Sequence, residues 1–164
     1  MMKFKSFMTM TMAAMAFVVS MSSCSKDDDD KQAEPVAAQV AGSYTGKEIF
    51  IVDNEESSNE TKTYQFTKAS DTTVDLVIPE VGMGMMTIPS MSAKGITLSK
   101  DGNTITGKLA SYDGTVKGAD GSDKAYTITD LTALFYDKTV VVTYNLKYGR
   151  MPYPFTATFT GNKQ

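Results

Sequence analysis

Val140-Val141-Val142-Thr143-Tyr144-Asn145-Leu146-Lys147-Tyr148, the turn Gly149-Arg150-Met151-Pro152-Tyr153-Pro154, and Phe155-Thr156-Ala157-Thr158-Phe159-Thr160-Gly161 decide the fold. In the first run Val140, Val142, Tyr144, Leu146 and Tyr148 alternate with Val141, Thr143, Asn145 and Lys147. In the last, Phe155, Ala157 and Phe159 alternate with threonines. A period of two places alternate side chains on opposite faces of a strand, so each run has one apolar and one polar face. Two such runs joined by a short Gly/Pro turn form an antiparallel pair.

Working outward, the same period recurs. Leu131 to Tyr136 precedes the turn Asp137-Lys138, and Tyr126 and Ile128 alternate with threonines. Ile105, Gly107 and Leu109 follow the turn Lys100-Asp101-Gly102-Asn103, where glycine supplies a positive φ. Ile96 and Leu98, then Val74, Leu76 and Ile78 up to Pro79, then Tyr64 and Phe66, and the β-rich run Tyr44 to Val52 complete the series. Asp53 to Glu60 and Asp113 to Asp123 read as polar loops, and residues 31–41 as a linker with at most one helical turn. About eight short strands with almost no helical periodicity argue an all-β antiparallel sandwich or barrel over residues 42–164. The Thr-rich outer face suits a closed barrel in water. A membrane-spanning barrel has the reverse pattern, with its apolar face outward.

Composition excludes several chemistries. The 164 residues contain no histidine, no tryptophan and one cysteine, Cys24. A usual zinc, copper or haem centre and a Ser-His-Asp or Cys-His nucleophile therefore have no residues to build them. No catalytic residue, metal site or cofactor is expected, and the chain does not read as an enzyme. The formal charge is −3. There is no basic patch, so nucleic acid is not an expected partner.

The first 23 residues have the layout of a secretory signal: Lys3 and Lys5, an uncharged apolar stretch from Phe7 to Met21, then Ser22-Ser23. Met21-Ser22-Ser23-Cys24 resembles a lipobox, which makes Cys24 the expected lipid-attachment residue and residues 24–41 a tether. An ordinary signal peptide with a chance cysteine is the alternative. Without Lys3 and Lys5 the chain carries roughly −5 by the same count. Lys26, Asp27, Asp28, Asp29 and Asp30 resemble the Lys-then-acidic export signal of surface lipoproteins; a solvated charged spacer is the alternative. The expected location is the outer membrane, through the lipid anchor, at the cell surface or on the periplasmic face.

Three stretches carry a family resemblance: Val40-Ala41-Gly42-Ser43-Tyr44-Thr45-Gly46, Val81-Gly82-Met83-Gly84-Met85-Met86-Thr87-Ile88, and Phe155 to Gly161. Together they resemble the calycin-like (lipocalin-like) barrel domains of lipoproteins in gut Gram-negative bacteria. The resemblance covers roughly residues 40 to 161. It implies an eight-stranded antiparallel up-and-down barrel in the cell envelope, with no established ligand. True lipocalins open with Gly-x-Trp, and here Tyr44 stands at the tryptophan position. By the family's pattern Arg150, the only arginine, would cover Tyr44; a loop-tip arginine in solvent is the other reading.

If the barrel holds a small apolar or aromatic ligand, Tyr64, Phe66, Tyr126, Tyr144 and Phe155 are the expected lining, with Met83, Met85 and Met86 as an adaptable apolar lid. The alternatives are methionines that cover a barrel end and an interior filled by Tyr64, Phe66, Leu76, Ile78, Leu98, Ile105, Leu109, Ile128, Tyr144, Leu146, Phe155 and Phe159. A filled barrel would suit a non-catalytic subunit that meets another envelope protein. Tyr148 and Tyr153 are candidate surface contacts. Asp120 and Asp123 hint at a calcium loop but lack the closing bidentate Glu.

Overall fold

A computed structural model describes residues 33–83 and 86–164, with the backbone alone at Met83. Residues 1–23, Cys24, Lys26, Asp27 to Asp30 and Met85 lie outside the described residues. The chain enters through a short helix, α1 (Val36–Val40), and then runs as strands: β1 (Gly42–Val52), β2 (Glu55–Lys68), β3 (Thr73–Ile78), β4 (Val81–Met83), β5 (Met86–Ile88), β6 (Met91–Asp101), β7 (Thr104–Lys117), β8 (Asp123–Tyr136), β9 (Thr139–Tyr148) and β10 (Phe155–Lys163). Eight of them close an antiparallel barrel in the order β1-β10-β9-β8-β7-β6-β3-β2, while β4 and β5 form a separate hairpin. This is the up-and-down barrel that the alternating runs and the resemblance imply.

The alternation places the core where expected. Tyr64, Phe66, Leu76, Ile78, Leu98, Ile105, Ile128, Tyr144, Leu146, Phe155 and Phe159 are all buried, and Leu109 packs against them half-buried. Tyr64 stacks on Phe159 at 4.0 Å between ring centroids, and Phe50 meets Tyr144 and Phe155 edge-on. In β8 the period breaks once. Ile128 and Leu131 both face inward because Asp130, at φ 55°, makes a bulge that shifts the β8–β9 register between Thr129 and Thr132.

Five readings need correction. Asp53–Glu60 is not a loop: Asp53 and Asn54 (φ 49° and 64°) make a tight turn, and β2 begins at Glu55. Likewise β7 runs to Lys117 and β8 starts at Asp123, so the apparent loop 113–123 is largely strand. Both hairpins extend where few residues have a core to face, so backbone pairing carries most of their extension, helped in β7–β8 by Tyr112 and Val116 against the core and by the Lys117–Asp123 pair. The linker ends before α1, whose Ala37 and Val40 are buried against the barrel. Tyr148 is a buried core residue, in phase with Val140 to Leu146, while Tyr153 is exposed.

The fifth correction concerns Tyr44. It sits at the barrel end where α1 enters, donating from its hydroxyl to Val40 O at 3.0 Å and packing edge-on against Phe66 and Phe135. An up-and-down path puts the β9–β10 turn, and Arg150 with it, at the opposite end. Lys163 covers Tyr44 instead, with Nζ 6.0 Å from the ring centroid and bonded to Gln39 O at 2.9 Å. A cation over the aromatic plug is retained, supplied by the end of β10.

Closure depends on a close crossing of β1 and β10. Gly46 lies opposite Gly161, and a Cβ on Gly46 would overlap the Thr160 carbonyl oxygen and the Gly161 Cα. Backbone atoms cannot step aside as a side chain can. Gly46→Ala should therefore destabilise the barrel by about 3 kcal/mol or more, measured by urea unfolding. Ala at the solvent-exposed Thr61 position of β2 should change stability by less than about 1 kcal/mol.

Candidate functional site: a buried carboxylate beneath an open rim

The candidate lining residues do not meet in one cavity. Phe66 belongs to the aromatic cluster around Tyr44 at the entry end, and Phe155 packs on Phe50. Tyr126 is a strut: β6 pairs with β3 along its first half but with β7 only from Thr97 to Asp101. Across that opening the Tyr126 hydroxyl donates to Ser92 O at 2.8 Å and accepts from Ser92 N–H at 3.2 Å. One phenol thus occupies both backbone groups that a ladder would have paired. Burial raises its pKa.

Tyr64 and Tyr144 do come together, around a residue the sequence reading passed over. Glu48 on β1 is 1% exposed, the single buried charged residue among those described. Its position follows from parity, since Tyr44, Glu48 and Phe50 share the inward face of β1. The Tyr64 hydroxyl donates to Glu48 Oε2, and the Tyr64 and Tyr144 hydroxyls lie 2.9 Å apart. With the Tyr64 proton committed to the carboxylate, Tyr144 donates to Tyr64. The three residues form a chain from β9 through β2 to β1. Glu48 Oε1 and the buried Ser58 Oγ have no partner.

Burial pushes the Glu48 carboxyl up to about 7. The Tyr64 hydrogen bond and the Lys62 ammonium pull it down, and Glu60 adds a smaller upward push. Burial likewise raises Tyr64 and Tyr144, so both phenols stay protonated and available as donors. Desolvation outweighs the hydrogen bond here because only one of two carboxylate oxygens is satisfied. Among the described residues no group of metal-binding side chains is assembled around it.

Above Glu48, away from the entry end, is the far rim. Lys62 pairs with Glu60 at 2.6 Å and donates to Glu80 O at 2.7 Å, tying β2 to the foot of the β4–β5 hairpin. Val81 and Ile88 of that hairpin are buried, which closes the rim over the core. Beside it lies an open groove of about 760 Å³, lined by Met86, Tyr148, Met151 and Pro152 together with Lys124 and Arg150. A shallower depression of about 320 Å³ shares Met86, Lys124 and Tyr148 and runs to Gly118–Asp120. In that loop Asp120 accepts from Ser122 and Lys124, which lower its pKa, and Asp123 pairs with Lys117. Both carboxylates are thus occupied by the protein itself. At the entry end a third depression, of about 450 Å³, is bordered by Gln39, Tyr44, Lys100 and Asp137.

The raised Glu48 pKa has a sign in stability. The folded protein binds the proton more tightly than the unfolded chain, so stability is full below about pH 4.5 and is lost as pH rises through about 7. Glu48→Gln keeps an acceptor for Tyr64 and removes the charge. Relative to wild type it should gain on the order of 3 kcal/mol at pH 8.5 and much less at pH 4.5, read from denaturant unfolding across that range. A parallel pH dependence in both proteins would refute the placement.

Known proteins agree with the architecture. No curated protein matches the chain. A crystal structure from Bacteroides fragilis, provisionally named an outer membrane protein, superposes with a TM-score of 0.63 at 18% identity, over 79% of this chain and 53% of that one. The chain thus spans about half of that longer protein, and at this identity the likeness concerns the fold. The profile of the calycin-like beta-barrel domain matches residues 40–162, from the last residue of α1 to the penultimate residue of β10. By that match and the closed eight-stranded barrel, the chain belongs to the calycin-like β-barrel domain family.

Proposed function

We propose that this chain is a lipid-anchored outer-membrane protein whose far rim, rather than its barrel interior, binds a small, mainly apolar ligand. The observation that carries this reading is the pairing of a side-chain-filled barrel with an open groove of about 760 Å³ at one end. Eight strands leave an interior that side chains can fill. Here Tyr64, Phe159, Tyr144, Phe50 and Phe155 pack through it, so a guest is directed to the rim. Met86 and Met151 offer surfaces that mould to irregular shapes, and the exposed Arg150 makes no ion pair among the described residues. Among the described residues no metal-binding cluster accompanies them, and the reading proposed is binding.

Anchoring rests on Met21 to Cys24, and display at the surface on Lys26 and Asp27 to Asp30. The name of the Bacteroides fragilis relative in fold supports the same compartment. The tether would reach the barrel at the α1 end. Eleven residues separate Cys24 from Val36, a reach of at most about 40 Å, and the groove lies at the end of the barrel opposite α1. The filled core also suits a second reading: a packed subunit that meets another envelope protein through this rim and takes no small ligand.

Two measurements test these readings. Cys24→Ser should move the protein from the membrane fraction to the soluble or precursor fraction; unchanged fractionation would remove the anchor. An anilinonaphthalene sulfonate probe should bind saturably at micromolar protein, about tenfold more weakly to Met151→Glu and unchanged to Tyr144→Phe. The opposite pattern would return the ligand to the barrel interior. Absence of saturable binding by that probe and by fatty acids would leave the interaction subunit.

A further inference from the structure

We propose that ionisation of Glu48 loosens the β4–β5 hairpin and so opens the far rim. A two-stranded hairpin is marginal alone and stays folded only through what holds it down. Three holds are visible here. Val81 and Ile88 are buried against the core. Ser90 Oγ donates to Ile78 O at 2.8 Å, fixing the hairpin's exit to its entry strand. Lys62 Nζ donates to Glu80 O at 2.7 Å. The third hold belongs to the same electrostatic group as Glu48.

The register puts them within reach. Glu48 lies opposite Glu60, and Gly46 opposite Lys62. Glu48 and Lys62 are therefore diagonal neighbours on adjacent strands, a spacing that long side chains span. Lys62 is largely buried, with a side chain 17% exposed. The groups that face Glu48 are Lys62, Glu60 and Tyr64 from β2 and Tyr144 from β9; β10 presents Phe159, which is apolar. Lys62 is the single cation in this set. Glu60 already engages it, and neither phenol can supply positive charge.

When Glu48 is neutral, Tyr64 satisfies one oxygen and Lys62 is free to hold the Glu80 carbonyl. When Glu48 is charged, the bare Oε1 needs a donor. Two are at hand: the Lys62 ammonium, drawn from Glu80, and water entering beside Ser58, whose hydroxyl also lacks a partner. Either one removes support from the foot of the hairpin. Because Met86 lines the groove, movement of β5 reshapes the wall that a ligand meets. The switch stands on the Glu48 geometry; its effect on binding rests on the rim being the binding face.

Hydrogen exchange tests it directly, on the intact chain, with rates corrected for the intrinsic effect of pH. Amides of Val81–Met83 and Met86–Ile88 should lose protection by on the order of tenfold between pH 5.5 and 8.5, while β8 and β9 keep theirs. Glu48→Gln should abolish the change. Tyr64→Phe removes the bond that lowers the Glu48 pKa, so it should shift the change to higher pH. Lys62→Met should leave the hairpin loose at both pH values. Protection independent of pH in the wild type, or a change that survives in Glu48→Gln, would overturn the switch. PH-dependent exchange without probe binding would keep the switch and remove the ligand, and the reverse would do the opposite.

Discussion

The barrel depends on β1 being paired on both sides. Its Tyr44 lies opposite Tyr64 of β2, and its Gly46 opposite Gly161 of β10, so one strand joins the first and last parts of the chain. A sheet of this length left open would expose two edges. Closing it demands strong coiling, and the coiling demands that two backbones pass with no side chain between them. Gly46 and Gly161 meet that demand. The price of closure appears on the other side of the barrel, where β6 and β7 separate towards the far rim and Tyr126 spans the opening. The same strand that closes the barrel also carries Glu48 into it. Fold and candidate site are therefore not separable: the polar chain Tyr144–Tyr64–Glu48 joins β9, β2 and β1 across the interior.

Glu48 is unusual in being only half accommodated. A structural carboxylate buried for specificity would be expected to have both oxygens satisfied, since each bare one carries a desolvation cost. Here Oε2 has Tyr64 and Oε1 has nothing. The carboxyl meets this by holding its proton near neutral pH. A well-packed core with one such group is rigid in one protonation state and strained in the other. That asymmetry lies beneath the rim that the β4–β5 hairpin covers.

The strands with one apolar face were legible because alternation is a direct consequence of strand geometry, as in Val140 to Tyr148. So was the outer Thr-rich surface. Two kinds of feature were not. Backbone pairing beyond the rim leaves no apolar signature, and the polar ends at Glu55–Glu60 and Asp113–Lys117 therefore read as loops. Inward polar groups read as outward ones: Glu48 sits within the run Tyr44 to Val52, where a carboxylate marks the solvent face by default. Counting parity from Tyr44 to Phe50 would have found it. The Tyr44 cover failed for a topological reason. Sequence nearness of Arg150 to the last strand says nothing about which end of that strand it occupies, and Lys163, at the other end, is the cation that reaches the ring.

The short helix at the entry end also sets how the molecule bears load. A pull from the N-terminal side of the chain, whether from an anchor or from drag in flow, arrives at α1 and passes into the start of β1. Because β1 is hydrogen-bonded along its length to β2 and β10, force along its axis loads both ladders in shear, with many bonds strained together rather than one after another. Tyr44 and Val40, joined by a hydrogen bond and both buried, stand at the point where that force enters. The β4–β5 hairpin lies at the opposite end and meets this path where Lys62 of β2 holds the Glu80 carbonyl, so a load that slid β2 against β1 would reach the rim through that one bond.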